Sequence, residues 1–146
     1  MTGTDPILIL ATILLAGAAL GATALLSRSD RAAFVYAQLV LMAGIYVGFA
    51  VIALEPLATA NKGDWSVLLI EAAAALAFIF AGHSVLGSQR AWLLGALIML
   101  HGVVDLAHLM MGAAHSPGWY AFICALYDAI VGFGAIWLLS PKSGKA

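Results

Sequence analysis

Three ionisable residues lie inside one hydrophobic segment of the chain, LIMLHGVVDLAHLMMG: His101, Asp105 and His108. Their spacing of four and then three residues predicts that all three side chains share one face of an α-helix. Imidazole and carboxylate groups bind Zn²⁺, Fe²⁺, Mn²⁺ or Cu²⁺, and in membrane helices they also carry protons. An aspartate at the centre of a membrane helix costs about 2.5–3.5 kcal/mol on insertion scales. We expect an interaction in the protein to offset this cost, and we expect that interaction to be part of the function.

The composition indicates the class of protein that must position these residues. Of 146 residues, 64% are hydrophobic and only 9% are charged, whereas a soluble domain has about 25% charged residues. This excludes an ordinary soluble domain and predicts an all-α integral membrane protein. The net charge of -1 and the absence of a basic stretch argue against a nucleic-acid partner.

Five stretches are apolar over the length of about 20 residues that a membrane-spanning helix needs. We therefore predict a single transmembrane domain, residues 1–146, that is a bundle of five helices. The predicted spans are residues 7–26, 32–54, 65–86, 91–111 and 119–139.

The cationic residues predict the orientation of this bundle. Lys62 lies in the second loop, on one side of the membrane, and the other five cations lie on the opposite side. These five are Arg28, Arg31, Arg90, Lys142 and Lys145. The positive-inside rule then places the N-terminus outside and the C-terminus in the cytoplasm. Tryptophans stand at the start of three spans, as interfacial aromatic residues should: Trp65, Trp92 and Trp119.

Glycine pairs on the first two spans raise the question of partners besides membrane lipids. Gly17 and Gly21 form one GxxxG pair, and Gly44 and Gly48 form another. Such pairs permit close helix contact, either in a homo-oligomer interface or, as is more common, in packing inside the bundle. The sequence leaves both interpretations open.

Two further carboxylates fall at depths that overlap those of the span-four residues. Glu71 on span three and Asp128 on span five both lie in the outer half of the predicted bundle. Since the predicted spans contain no Lys or Arg, the buried carboxylates must bind a metal, be protonated or pair with protonated histidines. We predict a metal site with His101, Asp105, His108 and Asp128 as ligands. Glu71 and Asp128 are predicted to complete the ligand set or to act as a catalytic general base.

The remaining polar residues are weaker candidates. His83 lies near the cytoplasmic end of span three and is predicted to be structural, and His115 is predicted to be an ordinary loop residue. Cys124 shares a helix face with Asp128 and is a weak candidate ligand, whereas Tyr46 is assigned to packing. Because Cys124 is the sole cysteine, no disulfide can form within the chain.

The last third of the chain, Leu100 to Leu139, resembles an uncharacterised family of small bacterial multi-pass membrane proteins. The resemblance begins with His101, Asp105 and His108 and continues with Gly112, Pro117, Cys124-Ala125, Asp128-Ala129 and Trp137. It implies a bacterial cytoplasmic (inner) membrane location and an Asp128 that belongs with the span-four residues. It implies no activity.

Four functions fit these observations, and a metal-binding membrane protein fits them best. Such a protein could also be an enzyme that acts on an apolar or lipid substrate. The main alternative is proton or cation translocation through a relay of histidines and carboxylates. The other two are a b-type haem anchor that uses His83 and His101, and a structural or accessory subunit of a membrane complex.

Overall fold

A computed structural model of the chain describes residues 5–54, 65–112 and 115–141. These residues form five α-helices and no strand: α1 (Pro6–Leu25), α2 (Arg28–Ala53), α3 (Trp65–Val85), α4 (Leu93–Met111) and α5 (Gly118–Leu139). All five are long and apolar enough to cross a membrane. The predicted all-helical class with five apolar helices is therefore confirmed.

The largest boundary difference is at the start of α2, which begins at Arg28 rather than at the predicted Ala32. The Ser27 side chain accepts a hydrogen bond from the backbone nitrogen of Asp30 at 3.3 Å, which is a standard N-terminal cap. The acidic Asp30 in the first turn also suits the positive end of the helix dipole. The helix therefore starts in the polar turn, ahead of the apolar stretch from which the prediction was made.

The helices pack around a core that α4 and α5 dominate. These two form the most extensive pair, α5 also packs on α1, and α2 packs on α3 while it contacts α4 and α5. Fully buried Leu39, Leu94 and Val131 lie at the centre. Large apolar side chains such as Leu14 and Trp137 are exposed on the outside, which is the arrangement expected of helices that face lipid.

Glycines bring the backbones of α4 and α5 into direct contact. A β-carbon added at Gly95 would lie 2.5 Å from the Gly132 carbonyl oxygen and 2.6 Å from the Ile136 nitrogen. Next to His101, a β-carbon at Gly102 would lie 3.0 Å from the Asp128 β-carbon. Close approach at small residues is the usual way in which membrane helices associate, and here it places Asp128 against the face of α4 that carries His101 and Asp105.

The four glycines of the two GxxxG pairs do not lie at this contact between α4 and α5. Gly17, Gly21, Gly44 and Gly48 are exposed, and a β-carbon added to any of them would meet nothing within 4 Å. They lie on the outer surface of the described helices rather than inside the bundle. An interface with a second copy at these glycines remains a prediction.

Candidate metal centre

The site forms where α2 and α4 end and α3 and α5 begin. His101, Asp105 and His108 lie along one face of α4, and all three side chains are buried. Helix α3 contributes Glu71 and α5 contributes Asp128, both also buried. The structure thus brings the five predicted site residues to the interior of the bundle, in two separate clusters.

The first cluster, the Asp105 group, consists of His101, Asp105 and Asp128. His101 Nδ1 lies 2.8 Å from Asp128 Oδ2 and 3.6 Å from Asp105 Oδ2. One candidate ligand atom from each residue can be chosen so that all three lie within 4.8 Å of one another. Two carboxylates and one imidazole at this spacing can hold a divalent transition metal.

The second cluster, the Glu71 group, consists of Glu71, His108 and His115. Glu71 Oε1 lies 2.8 Å from His108 Nε2 and 3.2 Å from His115 Nε2. His108 Nδ1 lies 2.9 Å from the Val104 carbonyl oxygen. Because a carbonyl oxygen can only accept, Nδ1 carries a proton and directs Nε2 toward Glu71. A lone pair on Nε2 would face a carboxylate, so a proton or a metal ion must lie on this side of the ring.

The predicted set of four metal ligands is therefore divided between two clusters. His108 joins Glu71, whereas His101, Asp105 and Asp128 stay together. The physical reason is distance along the helix: residues seven apart share a face but are separated by about 10.5 Å in rise. A single ion with ligand distances of about 2 Å cannot bridge His101 and His108.

Asp105 is the least satisfied group of the site. Its side chain is 0% exposed, and among the described residues neither carboxylate oxygen has a hydrogen-bond partner. A buried polar group without a partner costs about 1–3 kcal/mol, and more when it is charged. The arrangement therefore calls for a cation or a proton at Asp105.

Tyr46 on α2 separates the two clusters, a role that the sequence analysis missed. Its ring stacks on His108 with centroids 4.3 Å apart and lies 6.1 Å from the His101 ring. Its hydroxyl is buried without a hydrogen-bond partner in the described structure and interacts electrostatically with Asp105. The sequence does not predict this position, because a single tyrosine in an apolar span looks the same whether it packs in the core or lies beside a site.

The charges of the site are not balanced by arginine. In the described part of the chain, the basic groups paired with Glu71, Asp105 and Asp128 are histidines. Arg31, by contrast, lies at the start of α2 and donates hydrogen bonds to carbonyl oxygens at the end of α1. The carboxylates thus depend on histidine protons or on a bound ion for their neutralisation.

Among the described weaker candidates, His115 belongs to a cluster, whereas His83 and Cys124 do not. His115, expected to be an ordinary loop residue, lies beside Glu71, although its Nε2 is not aligned for a hydrogen bond. His83 is exposed and packs near the Tyr36 ring, outside both clusters. Cys124 lines a cavity next to Asp128 but belongs to neither cluster.

Comparison with known proteins adds no relative of known function. No protein-family model, no curated protein and no solved structure matches the chain. The functional argument consequently depends on the geometry of the two clusters.

Proposed function

We propose that this chain is a multi-pass protein of a bacterial cytoplasmic membrane that binds transition-metal ions within its helical bundle. Five apolar helices support the membrane location, and the distribution of Lys and Arg supports an outside N-terminus. The candidate metals are zinc, iron, copper and manganese, since all four accept imidazole and carboxylate ligands.

The observation that carries the proposal is the state of Asp105. Its buried carboxylate has no hydrogen-bond partner among the described residues and lies beside the carboxylate of Asp128, and His101 Nδ1 lies 3.6 Å from the first and 2.8 Å from the second. One imidazole can neutralise at most one of the two carboxylates. A divalent ion would neutralise both and would supply the missing partner for the Asp105 oxygens.

The Glu71 group supports a second ion by a different feature. His108 donates its Nδ1 hydrogen to a backbone carbonyl, which fixes the ring and presents Nε2. Metal-ligating histidines nearly always make such a bond with their other ring nitrogen. Glu71 and His115 would complete a three-residue ligand set there.

An enzymatic role is compatible with either cluster. Glu71 and Asp128 are the candidate general bases, because a carboxylate next to a bound ion can accept a proton from a water molecule. We assign no reaction to them.

Metal analysis of the detergent-purified protein tests the proposal. We expect up to two ions per chain in the wild type, loss of one in Asp105→Asn and loss of the other in His108→Gln. His83→Gln is the matched control, since His83 is exposed and outside both clusters, and it should keep the wild-type content.

Two results would contradict the proposal. One is a wild-type metal content near zero even after reconstitution with each of the four metals. The other is an unchanged metal content in both Asp105→Asn and His108→Gln.

The second candidate function is proton translocation, and one observation favours it. Short imidazole–carboxylate contacts of 2.8 Å occur in both clusters, and the Tyr46 ring lies between them. His83, near the predicted cytoplasmic end of α3, would be the inner end of such a route, but it lies beside the Tyr36 ring and outside both clusters. A metal-free protein that dissipates a pH gradient in liposomes, and loses this activity in His101→Gln, would favour translocation over metal binding.

The haem-anchor alternative receives no support from the geometry. His101 contacts Asp128, and neither of the described cavities that His101 lines includes His83.

A further inference from the structure

A cavity of about 260 Å³ lies beside the Asp105 group, between α1, α2, α4 and α5. His101 and Asp128 form part of its wall, but nearly all of the exposed wall is carbon, contributed by residues such as Met42, Ile45 and Ile123. An ordered water molecule needs two to four polar partners, and most of this wall offers none. Its natural occupant is an apolar molecule.

The cavity contains a hydrogen-bond donor that has no acceptor. Gln38 Oε1 accepts a hydrogen bond from the Tyr127 hydroxyl at 2.9 Å, which holds the amide beside the wall of the cavity. Gln38 Nε2 is left buried with no partner in the described structure. The Gln38 amide nitrogen therefore has a free hydrogen to donate to a molecule in the cavity. Unpaired buried donors are rare, so an occupant that carries an acceptor would relieve the cost of the unpaired Gln38 nitrogen.

The position of the cavity indicates where such a molecule would enter. Leu15 on α1 and Leu41 on α2 both line it, and their side chains are 62% and 67% exposed. The cavity therefore opens between α1 and α2, on a surface that faces lipid if the helices span a membrane. A ligand would reach it sideways from the bilayer.

From these observations we infer that the cavity binds a lipid-soluble molecule through a carbonyl oxygen, which accepts a hydrogen bond from Gln38 Nε2. At about 30 Å³ per water molecule, the cavity equals about nine waters in volume. It can enclose a carbonyl-bearing head and several methylene groups, while a longer chain extends between α1 and α2 into lipid. The inference rests on the proposed function only where it places this carbonyl beside His101 and Asp128 as metal ligands.

Photolabelling in lipid nanodiscs tests the inference. Two diazirine probes of equal chain length are compared, an alkyl ester and the corresponding alkane, and the labelled residues are mapped by mass spectrometry. We expect the ester to label cavity residues such as Ile45 and Ile123 preferentially. Gln38→Met should lower ester labelling about fivefold, the loss expected for one neutral hydrogen bond, and leave alkane labelling unchanged.

A cavity-filling variant tests the location of the binding site independently. Ile45→Trp should abolish labelling of the cavity, because the larger ring occupies its volume. Ile52→Trp is the matched control on the same helix, since Ile52 is 64% exposed and does not line the cavity. Equal labelling by ester and alkane in the wild type, or cavity labelling that survives Ile45→Trp, would overturn the inference.

Competition identifies the source of the carbonyl. Unlabelled diacylglycerol and an unlabelled alkyl quinone are added separately, and whichever suppresses ester labelling shows whether a glycerolipid or a quinone is preferred. If neither competes, the carbonyl assignment is wrong.

The same labelling in Asp105→Asn separates this inference from the metal proposal. Asp105 does not line the cavity, so the ester should still label it when the metal is lost. Labelling without any metal in the wild type would overturn the metal proposal and leave the cavity assignment intact. Metal binding without preferential ester labelling would overturn the cavity assignment and leave the metal proposal intact.

Discussion

At the scale of single residues, the site is defined by hydrogen-bond partners that are missing as much as by those that are present. In the part of the chain that the structure describes, the two Asp105 carboxylate oxygens have no hydrogen-bond partner, and neither has the nearby Tyr46 hydroxyl. His101 and His108, by contrast, each contact a carboxylate at 2.8 Å. An ion at Asp105 would leave Tyr46 in position to donate a hydrogen bond to a ligating carboxylate.

Replacement of Tyr46 by phenylalanine tests this supporting role. Tyr46→Phe keeps the ring that stacks on His108 and removes only the hydroxyl. We expect metal affinity at the Asp105 group to fall about 10- to 100-fold, the usual effect of losing a group that orients a ligand. The stability of the metal-free protein should be unchanged or higher, because an unsatisfied buried hydroxyl is removed.

Competition with a chromophoric chelator measures the affinity, and unfolding of the chelator-treated protein measures the stability. Tyr36→Phe is the control, since the Tyr36 hydroxyl donates to the Ile79 carbonyl, at a position outside both clusters. A Tyr46→Phe protein with wild-type metal affinity would show that the hydroxyl does not support the site.

At the scale of elements, the contact between α4 and α5 decides whether the Asp105 group exists. His101 and Asp105 come from α4, and Asp128 comes from α5. Glycines at the contact let the two backbones approach closely enough for the 2.8 Å contact between His101 and Asp128. The geometry of the Asp105 group therefore depends on the spacing between α4 and α5.

A methyl group at Gly95 should force α4 and α5 apart. The new β-carbon would lie 2.5 and 2.6 Å from backbone atoms of α5, which cannot move aside as a side chain can. We expect Gly95→Ala to lower the unfolding free energy by about 1–3 kcal/mol, the typical cost of overpacking, and to weaken metal binding at the Asp105 group.

The matched control is Gly118→Ala, where the added methyl group would make only an ordinary contact, 3.5 Å from Leu109 Cδ1. Because no close backbone contact is created and alanine is the better helix former, this variant should be neutral or slightly more stable. Titration with a denaturing detergent compares both variants with the wild type. Equal stability of Gly95→Ala and Gly118→Ala would contradict the close contact.

At the scale of the whole molecule, the outside of the described helices is largely apolar, and the carboxylates of α3, α4 and α5 are inside. Exposed leucine, isoleucine and tryptophan side chains cover the described helices, while Glu71, Asp105 and Asp128 are buried. This is the reverse of a soluble protein and suits a lipid environment. The exposed pairs Gly17/Gly21 and Gly44/Gly48 leave open faces on α1 and α2 at which we propose that a second copy packs.

The proposed orientation can be tested with single cysteines in a Cys124→Ala background. Asn61→Cys lies in the loop predicted to be outside, and Ser88→Cys lies in the loop predicted to be cytoplasmic. We expect a membrane-impermeant maleimide to label Asn61→Cys in intact cells and Ser88→Cys only after permeabilisation. The opposite pattern would invert the topology and place both clusters in the cytoplasmic half.

The sequence by itself determined the helical class, the number of apolar helices and the shared face of His101, Asp105 and His108. Local periodicity and composition are sufficient for these features, because each depends on residues a few positions apart. The N-terminal turn of α2 escaped the prediction because a cap at Ser27, not hydrophobicity, starts that helix.

Only the tertiary structure decided which residues meet. Sharing a face on α4 could not reveal that His108 contacts Glu71 while His101 contacts Asp128. Nor could it reveal that Tyr46 lies between the two clusters or that His115 joins one of them. These contacts depend on the approach of separate helices, such as the glycine packing between α4 and α5 that brings Asp128 to His101, and spacing along one helix does not specify that approach.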